Sequence, residues 1–122
     1  MKFREYEAKQ IFREAGIPTA KSVLITKPEE AKAAQSAVAE KVVLKAQVDV
    51  GGRGKAGGIL LADASNVEMI AKELFGKTIK GLPVEKVLVE EAITINHEYY
   101  LGIALDRSRK SPVILFSEEG GV

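Results

Sequence analysis

Phe3, Tyr6, Ile11, Phe12 and Ala15 recur at near-helical spacing, and Gly16-Ile17-Pro18 follows as a stop signal, so the pattern predicts a first helix ending near Ala15. Ser22 to Ile25 reads as a short strand. Thr26-Lys27-Pro28-Glu29 has the form of a capping box with Pro in the first turn, opening a helix with Ala31, Ala34 and Val38 on one face. Val42 to Val48 reads as the next strand, with Lys45 directly after three apolar residues. A glycine loop, Gly51 to Gly58, separates it from a strand starting at Ile59. Ser65-Asn66-Val67-Glu68 is a second capping box. The stripe Val67, Ile70, Ala71 and Leu74 then predicts a helix ending at Gly76. Val87 to Glu90 reads as a buried strand, and Glu98 to Leu105 pairs with Val113 to Phe116 across the polar turn Asp106 to Lys110.

The 122 residues suit one compact domain, and 46% hydrophobic with 29% charged residues predicts a folded, soluble chain. The 18 basic and 17 acidic residues leave a formal charge of +1, which gives no general attraction to nucleic acid or to an anionic membrane. Any anion must be gripped locally. With no Cys and one His, His97, there is no thiolate chemistry and no histidine metal cluster. His97 itself reads as a surface or edge residue. No apolar run approaches the roughly 18 residues of a membrane span, and no targeting segment is visible at the N-terminus, so the expected location is the cytoplasm.

The glycine loop carries the chemistry. Gly52-Arg53-Gly54-Lys55-Ala56-Gly57 matches G-x-G-x-x-G, but a strand follows it where a dinucleotide-binding fold needs a helix. The P-loop form also fails, because Ala56 follows Lys55 and Asp49 holds the first glycine position. A strand, glycine loop, strand arrangement remains, of the kind that folds over nucleotide phosphates. A mobile surface hairpin is the competing reading. Five glycines and two cations within eight residues, after a lysine in an apolar strand, favour phosphate. Lys45 would need its ammonium paired if buried, and a phosphate oxygen would pair it. Val87 to Ala92 runs from an apolar strand into Glu90 and Glu91, either a hinge beside an adenine, with Glu98 reaching the ribose, or a solvated acidic turn. The Glu118 to Gly121 end is either flexible or an acidic turn near the site.

Val43 to Gly58 closely resembles the phosphate-binding stretch of the succinyl-CoA synthetase β subunits, which are ATP-grasp proteins. Glu5-Tyr6-Glu7-Ala8-Lys9-Gln10-Ile11-Phe12, Gly16-Ile17-Pro18, Leu88-Val89-Glu90, Glu98 to Gly102, Asp106-Arg107 and Glu119 to Val122 follow the same family's order. The resemblance implies an α/β (α+β) ATP-grasp fold. Residues 1–122 would form the N-terminal part of the grasp domain, truncated, with a small lid subdomain over about 19–95 and the beginning of the large nucleotide-binding subdomain. It also implies that Lys45, Gly52, Arg53 and Gly54 hold the phosphates of ATP or GTP, that Glu90 and Ile93 lie by the base, and that Glu98 binds the ribose. Ile93 stands where the family pattern has a small polar residue, and Asp49 departs from it before the loop.

The implied reaction joins succinate to CoA as the nucleoside triphosphate becomes diphosphate and phosphate. It proceeds through a phosphohistidine on a partner α subunit, which also carries most of the CoA site. Mg²⁺ would serve in the longer parent, with ligands that lie beyond Val122. The isolated chain is expected to be inactive, with no residue of its own in a catalytic role. Malate-CoA ligase β subunits and the grasp region of ATP-citrate lyase fit the same motifs. From other classes, a non-catalytic domain binding an anion or a partner protein through the loop stays open, as does a purely structural docking role.

Overall fold

A computed structural model describes residues 1–120. Helix α1 spans Glu5–Glu14. The Glu7 carboxylate accepts the Arg4 backbone N–H at 2.8 Å and closes its first turn. Its end is a Schellman turn, in which Gly16 at φ +80° lets its own N–H reach Arg13 C=O and the Ile17 N–H reach Phe12 C=O. The expected stop signal therefore operates. No residue of α1 is buried.

Strand β1, Ser22–Ile25, leads through a 3-10 turn at Pro28–Glu30 into α2, Ala31–Val38. Strands β2, Lys41–Ala46, and β3, Ile59–Asp63, flank the glycine loop, and α3 follows over Val67–Phe75. A two-residue pair, β4 Thr78–Ile79 and β5 Leu82–Pro83, precedes β6, Val87–Glu91. Strands β7, Tyr100–Asp106, and β8, Ser111–Ser117, form a hairpin.

Neither expected capping box forms. Thr26 donates its hydroxyl to the Glu30 carboxylate at 3.1 Å, not to a helix amide. At α3, the Asn66 side-chain oxygen accepts the Asp63 N–H at 2.9 Å and Ser65 bonds to Asp63, so the preceding turn takes the caps the helix would have used. Helices α2 and α3 appear where the hydrophobic period places them without either capping box, so for these two the burial of one face decides and capping only trims.

The main sheet has the order β1-β6-β2-β3, antiparallel at every step. The two-residue period of a strand sends Val42, Leu44 and Ala46 to one face, with Val87 and Val89 beside them, and α2 and α3 cover that face. Ala31, Ala34 and Val38 from α2 and Val67, Ala71 and Leu74 from α3 complete the core. Lys45 lies opposite Leu88 on β6 and Ile59 on β3, and Val43 lies opposite Glu90 and Leu61. These residues occupy the opposite face, which α2 and α3 leave uncovered and which α1 meets through Glu5 and Lys9.

Candidate functional site

Because Val43 faces Glu90 and Lys45 is two residues further along β2, Lys45 and Glu90 are diagonal neighbours on the open face. Their side chains meet, with Lys45 Nζ donating to Glu90 Oε1 at 2.7 Å. Helix α1 adds its own pair. Glu5 Oε1 accepts from Lys45 at 3.1 Å and from Lys9 at 3.0 Å, Glu5 Oε2 accepts from Arg53 at 2.6 Å, and Lys9 also pairs with Glu90. Three cations and two carboxylates thus form one network at the mouth of the glycine loop. Lys45 needs no phosphate to be paired, contrary to the expectation from sequence, because two carboxylates of the chain already reach it.

The electrostatics follow from this geometry. Burial would raise the Glu5 pKa, but the Arg53 hydrogen bond and the charges of Lys45 and Lys9 outweigh it and hold the carboxyl at about 2. Burial lowers the Lys9 pKa against the opposing pull of Glu5. Asp49, whose charge balance the sequence left open, pairs with Arg4 at 3.1 Å, which lowers its pKa and raises that of Arg4.

The loop itself is folded back on its own backbone. Gly58 N–H donates to Arg53 C=O, Ala46 N–H to Gly58 C=O, and Arg53 Nη1 to Ala46 C=O at 2.7 Å. Gly52 sits at φ +68°, where a side chain would be strained and its Cβ would stand 3.1 Å from Lys80 Nζ. Among the described residues, the N–H groups of Gly52, Arg53 and Gly54 have no hydrogen-bond acceptor. Lys80 and Lys77 brace the loop by donating to Gly51 and Gly57 carbonyls, a support that sequence reasoning missed because the partners are 29 and 20 residues apart. Lys55 is exposed and lines neither cleft beside the network.

Two clefts open there. One, of about 600 Å³, is lined by Phe3, Arg4, Glu5 and the loop residues Asp49 to Gly54. The other, of about 630 Å³, is largely apolar and lined by Val43, Leu61, Ala92, Ile93 and Ile95, with Lys45 and Glu90 on its wall. Ile59 lines both. The structure thus groups Lys45, Gly52, Arg53, Gly54, Glu90 and Ile93. It does not bring in Glu98, which is exposed, lines neither cleft and accepts the Gly120 N–H through its backbone carbonyl.

The Glu90 side chain is committed to lysines, and its backbone sits between Ser22 and Val43 inside the sheet. The Glu91 and Ala92 N–H groups bond to Lys21 and Lys41 carbonyls. Among the described residues, the first main-chain N–H after β6 without an acceptor is therefore that of Ile93. His97 packs against Tyr99 with the two rings tilted by 44° and bonds through Nε2 to the Glu118 carbonyl at 2.9 Å, away from both clefts. That contact ties the acidic end to the 97–98 segment, while Gly121 and Val122 lie outside the described residues. Among the described residues no three His, Cys, Asp or Glu side chains group to hold a metal ion, so no Mg²⁺ ligand is assigned.

A family profile described as ATP-grasp domain matches residues 2–122. The chain belongs to the ATP-grasp domain family. Solved structures share its fold: a dinucleotide-forming acetyl-coenzyme A synthetase of Ca. Korarchaeum cryptofilum superposes with a TM-score of 0.82 at 24% identity, over 94% of this chain and 52% of that one. Phosphoribosylamine-glycine ligase of Thermotoga maritima gives 0.65 at 24% identity, over 97% of this chain and 31% of that one.

Among curated relatives, the succinate-CoA ligase [ADP-forming] subunit β of Methanocaldococcus jannaschii is 54% identical over 124 residues, covering all of this chain and 33% of that protein. The [GDP-forming] subunit β of Thermus thermophilus is 48% identical over 123 residues, covering all of this chain and 32% of that protein. This ATP-grasp chain spans about a third of the length of the curated relatives it matches.

Proposed function

We propose that this chain is the nucleotide-gripping portion of a succinate-CoA ligase β subunit. The observation that carries the reading is the junction at Ile59, where an apolar cleft of base-sized dimensions meets a cleft rich in unpaired loop amides and walled by Arg53. The purine enters beside Val43, Leu61 and Ile93, and the phosphates turn past Lys45 toward Gly52, Arg53 and Gly54. Backbone amides suit phosphate oxygens, and Arg53 keeps donors beyond those given to Ala46 and Glu5. The residues present fit a nucleoside triphosphate, ATP or GTP, which would supply the phosphoryl group.

The whole protein would join succinate and CoA with an α subunit that bears the phosphohistidine, in the cytoplasm, with Mg²⁺ ligands contributed from outside this chain. The support is the identity of about half over the full chain to β subunits so named. No helix among the described residues is long and apolar enough to cross a membrane. Residues 19–95 would act as the lid over the nucleotide. Glu98 would reach the ribose only when the segment after Ile95 closes on the sheet.

The test is a titration of the chain with ATP and, separately, with sodium tripolyphosphate. The grasp reading expects ATP to bind more tightly, with affinity for both ligands falling on Lys45→Ala and the ATP advantage lost on Ile93→Asp. Equal affinity for the two ligands would favour a general anion-binding loop and sink the nucleotide assignment.

A further inference from the structure

Glu5 occupies an unusual position for a helix carboxylate. Its two oxygens span Lys45 and Arg53 at 3.1 and 2.6 Å, the geometry a phosphate would adopt toward the same two cations. It lines the loop cleft together with Gly52, Arg53 and Gly54, whose amides lack acceptors. We propose that Glu5 is a built-in anion that fills the phosphate site of the free chain, and that an incoming phosphate displaces it and loosens α1. The inference rests on the nucleotide-site reading above and deepens it.

Helix α1 is suited to such release because it is not anchored in the core. None of its residues is buried, and Ile11 and Phe12, like Phe3 just before the helix, remain about half exposed. What holds it is polar: Glu5 to Lys45 and Arg53, Lys9 to Glu90, Arg4 to Asp49, and the Tyr6 N–H to Gln47 Oε1 at 3.1 Å. Several of those groups are the ones a phosphate would recruit.

Charge sets the direction of the effect. With Glu5 in place, the cations Lys9, Lys45 and Arg53 face Glu5 and Glu90 and leave one net positive charge; replacing Glu5 by a neutral residue leaves the same groups with two. A polyphosphate arriving against a bound carboxylate meets like charge and finds the Lys45 and Arg53 donors that face Glu5 already engaged. Once Glu5 leaves, both obstacles go. The low Glu5 pKa keeps this internal anion ionised at neutral pH.

The experiment is calorimetric titration of the 122-residue chain with sodium tripolyphosphate at pH 7, in wild type, Glu5→Gln, Glu5→Ala and Lys45→Ala, with amide exchange of residues 5–14 followed by NMR. Removing the internal competitor should tighten binding about tenfold or more in both Glu5 variants, the scale of one charge-assisted hydrogen bond. Amides of α1 should exchange faster in wild type once tripolyphosphate is bound, and already fast in the variants. Equal or weaker binding by both Glu5 variants, with binding still abolished by Lys45→Ala, overturns the displacement while leaving the phosphate site standing. If Lys45→Ala binds like wild type, or no form binds at millimolar ligand, the site reading falls and this inference falls with it.

Discussion

The carboxyl of Glu5 offers a sharp test of the ion network, because its ionisation reports on every cation around it. Its pKa falls from the ordinary 4.5 to about 2, through Arg53, Lys45 and Lys9 acting against burial. A fall of that size corresponds to about 3 kcal/mol of preferential stabilisation of the folded, ionised state. The sign is that of a depressed acid. The contribution is fully present above about pH 4.5, where the unfolded chain is also ionised, and it drains away as pH falls toward 2. Carboxyl-resolved NMR should place the Glu5 midpoint near 2 in wild type, and Arg53→Leu should move it up toward 4.5. Urea unfolding should find Glu5→Gln less stable than wild type at pH 6 by up to about 3 kcal/mol, with the gap closing as both proteins are taken toward pH 2.5. A Glu5 midpoint above 4 in wild type, or a gap that stays constant with pH, would refute the network as described.

Two further outcomes test the frame around the site. Leu44 is fully buried between β6 and the helices, so Leu44→Ala should cost about 2–5 kcal/mol in urea unfolding followed by circular dichroism, and a loss below 1 kcal/mol would contradict the placement of the core. Among the described residues no helix packs closely over the β7–β8 hairpin, which leaves Leu101, Ile103, Leu105, Ile114 and Phe116 largely exposed. A two-stranded unit is marginal alone. Its amides should therefore exchange well before those of β2 and β6, and equal protection would show that the hairpin belongs to the same cooperative unit.

Helices α2 and α3 and the strands of the main sheet were legible in the sequence because their signals are burial signals, whereas α1 and the β7–β8 hairpin, which bury little, were read from spacing and turn residues, and the two-residue β4–β5 pair went unread. Val67, Ala71 and Leu74 on α3, and the alternation of Val42, Leu44 and Ala46 against Val43 and Lys45, hold regardless of partners. The caps were not legible, since Asp63 competes for Asn66 and Ser65 through a turn that only the folded chain defines. The same division runs through the site. Lys45 and the glycine loop are local in sequence and could be read, whereas the pairing of Glu5 with Lys45 joins residues forty apart and depends on α1 docking on the open face. One sequence signal did point there: Glu5 and Lys9 stand at i and i+4 of an otherwise striped helix, a spacing that puts both charges on one side.

The placement of Lys45 explains why stability and ligand binding are coupled here. On the core face, beside Leu44 and Val89, an ammonium would have to shed its hydration with no carboxylate in reach, a cost of several kcal/mol. One residue along, the pleat turns it to the uncovered face, where Glu90 and Glu5 pair it and solvent still reaches about a fifth of its side chain. That compromise keeps a charged donor beside the loop without an unpaired charge in the interior. It also means that the carboxylates balancing Lys45 in the free chain are structural partners of α1, so an anion that took over the Lys45 and Arg53 donors now given to Glu5 would alter how α1 is held.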